Sequence, residues 1–110
     1  MSQLPEGFIP VMLTPFTPTG HIDFKGLVRL TDMYIQVGAK GLFANCLSSE
    51  MYELSVQERL DVVKTVVETA AGRVPVVATG TIEGSMEQMA DFSNQLHALG
   101  VQAVIVLNNI

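Results

Sequence analysis

Four short apolar runs punctuate the chain: Phe8 to Leu13 (FIPVML), Gly41 to Ala44 (GLFA), Val74 to Ala78 (VPVVA) and Ala103 to Leu107 (AVIVL). They begin about 30 residues apart, the length of one strand and helix unit. None alternates apolar with polar positions. Strands apolar on both faces belong to parallel sheets covered by helices, so the runs predict four parallel strands.

The segments between them have helical periodicity. The first helix is predicted from Phe24 to Val37, capped by Asp23, with Leu27, Leu30, Tyr34 and Val37 on its inner face and Gly38 at its end. The second opens at a capping box, Ser55 with Glu58, turns Val56, Leu60, Val63, Val67 and Ala70 inward, and ends at Gly72. The third repeats the scheme with Ser85 and Gln88, an apolar stripe of Met86, Met89, Leu96 and Leu99, and Gly100 as terminator. Met33, Met86 and Met89 sit at helical spacing and are expected to fill core gaps. The order β-α-β-α-β-α-β fits either an open doubly wound sheet or part of a (β/α)8 barrel, and periodicity does not choose between them.

Composition removes several function classes. The formal charge is -5, without a basic cluster, which argues against nucleic acid or an anionic membrane as partner. No apolar stretch is long enough to span a membrane, and the N-terminus MSQLPEGF lacks a basic patch followed by an apolar run. The expectation is a soluble cytoplasmic chain. Cys46 is the single cysteine, and no Cys and His spacing resembles a zinc site, so neither a disulfide nor a structural metal is expected. Charged residues make up only 15% of the chain, low for a free-standing domain, and no helix follows the last run. The 1–110 region is therefore expected to be part of a larger barrel, or one half of an assembled one.

Polar residues gather at the C-terminal ends of the predicted strands: Thr14 and Thr17, then Asn45 to Glu50 (NCLSSE), then Thr79 to Thr81, then Asn108 and Asn109. In parallel α/β folds that end of the sheet binds ligands. The ring offers hydroxyls and amides, one nearby carboxylate, Glu50, and no histidine, a composition suited to hydrogen-bonding a small anion. His21 and His97 are expected on the surface, and Cys46 as a small buried hydrophobe. Gly80 to Ser85 (GTIEGS) has neither the ending of a P-loop nor dinucleotide-type glycine spacing.

Three segments carry a family resemblance: TPF-x-x-x-G-x-ID at Thr14 to Asp23, E-x-x-x-LS-x-x-ER at Glu50 to Arg59, and GR-x-PV at Gly72 to Val76. In this order and at these distances the chain resembles the opening of the dihydrodipicolinate synthase and N-acetylneuraminate lyase family, from Gly7 to Leu107. The resemblance implies the N-terminal half of a (β/α)8 TIM barrel, its first four strands and three helices, and an enzyme that holds a 2-oxo acid such as pyruvate as a Schiff base on a lysine. The Schiff-base chemistry so implied calls for no metal or organic cofactor, and none is expected. That lysine and the tyrosine proton carrier of the family lie beyond Ile110, so no catalytic residue is expected within 1–110 and the chain alone is expected to be inactive. Lys25, Lys40 and Lys64 fall on helices or at the start of the second strand, where an exposed ammonium is a poor nucleophile.

What the resemblance carries onto this chain is the loop after the second strand. Ser48 falls on the hydroxyl residue that binds the substrate carboxylate, and Ser49 beside it is the second expected substrate contact. Leu47, Glu50 and Thr79 are further candidates to line the site. Leu47 stands where relatives have a hydroxyl that links a proton relay, Ser49 replaces a glycine, and Ile110 stands where synthases often have tyrosine. These departures point away from the lysine-biosynthesis reaction and toward a divergent lyase or aldolase on another 2-oxo acid. A homo-oligomer, a tetramer by resemblance, is expected. The alternative expectation is a non-catalytic half-barrel or inactive relative that self-associates and binds a small acid.

Overall fold

A computed structural model describes residues 9–12, 14–44, 55–80 and 85–105. Its elements are α1 (Phe24–Gln36), β1 (Leu42–Ala44), α2 (Val56–Ala70), β2 (Val76–Thr79), α3 (Met86–Leu99) and β3 (Ala103–Ile105). The strands form one parallel sheet in the order β1-β2-β3. Of the first predicted strand, the described part makes a parallel bridge, Val11 to Phe43, closed by Met12 N–H to Phe43 O at 3.1 Å and Phe43 N–H to Pro10 O at 3.0 Å. Phe43 thus spends its backbone groups on this segment while Leu42 bonds toward Pro75 at the head of β2, which puts the 9–12 segment on the free edge of β1. Pro10 has no N–H to give, and a sheet edge tolerates that.

Each helix begins as the sequence dictates. Asp23 Oδ1 accepts from Gly26 N–H at 2.9 Å at the head of α1, while Ser55 with Glu58 and Ser85 with Gln88 close reciprocal capping boxes at α2 and α3. The ends also follow a physical rule. After α1, Gly38 takes a positive φ of 100° and Ala39 N–H reaches back to Tyr34 O; α3 stops at Gly100, φ 106°. The end of α2 differs from expectation, because the left-handed cap is Ala71 at φ 50°, one residue before Gly72.

Parity along the strands sorts the two faces of the sheet. The even-numbered Met12, Leu42, Ala44, Val76 and Ala78 are buried with Val62, Val63 and Val66 of α2 and Phe92 and Leu96 of α3. The odd-numbered Ile9, Val11, Phe43, Val77 and Ile105 form the other face, and none of them belongs to that core. Helices therefore cover one side, while the opposite face is apolar and substantially open.

Several predicted inner positions turn outward. Val56 and Met86 are 43% and 81% exposed. Each is the first residue of its helix, and a helical side chain lies over the turn before it, which here does not exist. Val37 lies past the last turn of α1, and Met33 is also exposed, so neither Met33 nor Met86 fills a core gap. In their place the helices bury Thr31, Val62, Val66 and Phe92. Thr31 is fully buried with its hydroxyl satisfied, donating to Leu27 O at 2.8 Å.

Candidate functional site

The C-terminal ends of the strands lie on one rim of the sheet, as parallel pairing requires. Ser48, Ser49, Leu47 and Glu50, together with Cys46, lie outside the described residues, as do Thr81 and the terminal Asn108, Asn109 and Ile110. Thr79 is described. It ends β2, is fully buried, and pairs in register with Ile105 of β3. Residues opposite one another in a parallel ladder point to the same face, so Thr79 and Ile105 share the face of Val77 and Phe43, away from the helices.

The neighbouring Gly80 confirms that orientation from the other side. A β-carbon there would strike the Ser93 hydroxyl of α3 and come within 2.8 Å of Val104 Cγ1. Gly80 therefore faces the helix layer, and alternation turns Thr79 the opposite way. Gly80 N–H donates to Ile105 O at 2.9 Å, which extends the β2 and β3 ladder to the rim. Thr14, at the rim of the leading segment, is buried and has the parity of Met12 on the helix side.

The other candidates take surface or structural places. His21 and His97 are exposed, and Lys25, Lys40 and Lys64 are exposed as well. The head of α3 is self-capped: Ser85 Oγ accepts from Gln88 N–H at 3.1 Å, and Gln88 Oε1 accepts from Ser85 N–H at 2.7 Å. Those groups are not free for a phosphate. No group of three or more His, Cys, Asp or Glu is placed to hold a metal among the described residues. Nor is any of their helices long and apolar enough to cross a membrane. A groove of about 320 Å³ runs between α2 and α3, lined by Leu60, Asp61, Lys64, Gln95 and others, all from helices and none from the rim.

Two residues of consequence had not been assigned a place. Arg59 is 6% exposed in α2, and burying a guanidinium demands acceptors around it. Its signal was present, since positions 59, 62, 66 and 70 form one helical stripe. Ile105 was read only as strand; its face became visible through its pairing with Thr79.

The profile described as the Dihydrodipicolinate synthetase family matches residues 4–109. The chain belongs to this family. A 4-hydroxy-tetrahydrodipicolinate synthase from Sorangium cellulosum is 38% identical over 109 residues, which cover 97% of this chain and 36% of that protein. A protein of the same name from Laribacter hongkongensis is 35% identical over 99 residues, 90% of this chain and 34% of its own length. The chain thus spans about a third of the length of the curated relatives it matches. Among solved structures, dihydrodipicolinate synthase from Bacillus clausii superposes with a TM-score of 0.85 at 26% identity, covering 96% of this chain and 36% of that one. The enzyme from Acinetobacter baumannii, crystallised in complex with pyruvate, gives 0.83 at 25% identity, covering 91% and 34%. The parallel strands and their helix layer are the N-terminal part of a (β/α)8 barrel of the dihydrodipicolinate synthetase family, which resolves the choice that periodicity left open.

Proposed function

We propose that residues 1–110 form the first four strands and three helices of a Schiff-base lyase of the aldolase type, acting on a 2-oxo acid such as pyruvate. The observation that carries this reading is the family match over residues 4–109. The pyruvate complex of the Acinetobacter baumannii relative supports the substrate class. In this reading Ser48 holds the acid's carboxylate with its hydroxyl and backbone N–H, and Ser49 adds a second donor. Leu47, Glu50 and Thr79 line the same rim.

The Schiff-base lysine comes from outside these residues. Lys25, Lys40 and Lys64 belong to helices or their connections, all exposed, and none lies on the inner face at the rim. The lysine amine condenses with the keto carbon and releases water; the protonated imine then draws electrons from the adjacent carbon, so that a C–C bond forms or breaks there. The imine itself supplies the electron sink, so the step calls for no metal or organic cofactor. Leu47 cannot pass a proton, which favours a reaction other than lysine biosynthesis. The assembled enzyme is a cytoplasmic homo-oligomer, a tetramer by resemblance.

Pyruvate titration of the 110-residue chain, followed by the amide resonances of its loops, tests the carboxylate site. Shifts centred on Ser48 that vanish in Ser48→Ala support it; shifts that survive the substitution contradict it. A second reading is a non-catalytic half-barrel that self-associates, in which a second copy of the chain would cover inner-face residues such as Ile9 and Val11. A solution mass twice that of the chain, with no pyruvate response, would select it.

A further inference from the structure

We draw no further inference here: the strongest candidate, the groove between α2 and α3 lined by Asp61 and Lys64 beside Leu60 and Leu99, carries nothing, because its walls are exposed or half-buried helix residues and nothing in the structure shows what covers it.

Discussion

Gly80 and Ser93 stand so close that a single β-carbon on the glycine would overlap the serine hydroxyl. The contact seats α3 on the end of β2 at the rim where the ligand is proposed to bind, so a glycine is required there for packing. Gly80→Ala should destabilise the chain by about 1–3 kcal/mol, the usual cost of overpacking. Pairing it with Ser93→Ala should recover part of the loss, since Val104 Cγ1 remains 2.8 Å from the added carbon. Urea unfolding of the single and double variants checks this, and equal stability of Gly80→Ala and wild type would contradict the packing.

Arg73 is exposed yet joins two helices. Its Nη2 donates to Asp32 Oδ1 of α1 at 2.6 Å and to Thr69 O of α2 at 2.7 Å, while Nε donates to Ala70 O at 3.1 Å. An ion pair whose side chains are 44% and 43% exposed contributes little, about 0.2–1 kcal/mol. The carbonyls at the end of α2 add to that on the arginine side alone. Arg73→Ala should therefore cost more than Asp32→Ala, and only the Asp32→Ala loss should be largely erased by high salt. Denaturation at low and high ionic strength separates the two terms.

The capping boxes allow a direct comparison of two helices. Ser55 Oγ accepts from Glu58 N–H and Ser85 Oγ from Gln88 N–H, both at 3.1 Å. Replacing either serine with alanine should cost about 1 kcal/mol, and with glycine only a few tenths. A scan of thermal midpoints over the four variants checks both the size and the order, and an unchanged midpoint in either alanine variant would deny that cap its role.

Helix caps were legible in the sequence because they depend on residues a few positions apart: Ser55 with Glu58, Ser85 with Gln88, Gly38 and Gly100 at helix ends. Faces were less so. Val56 and Met86 have the right spacing for a core stripe, but their place in the first turn leaves nothing beneath them, and that depends on where a helix begins relative to the sheet. Thr31 and Arg59 are polar types whose burial depends on partners that hydropathy does not register. Thr79 was legible as a residue at the rim; its shared face with Ile105 required the register between strands 26 positions apart in sequence, a relationship set by the sheet and by no local pattern. Gly80 was noticed only as part of a glycine-containing loop, since its contact with Ser93 of α3 is tertiary.

The intact mass of the protein purified from the cells that encode it, before and after treatment with pyruvate and borohydride, decides whether it is a Schiff-base enzyme. A Schiff-base lyase would be heavier than the 11.9 kDa of these residues and gain one reduced pyruvate, fixed on a lysine outside them. A mass of 11.9 kDa with no adduct would contradict that reading and leave a half-barrel without Schiff-base chemistry.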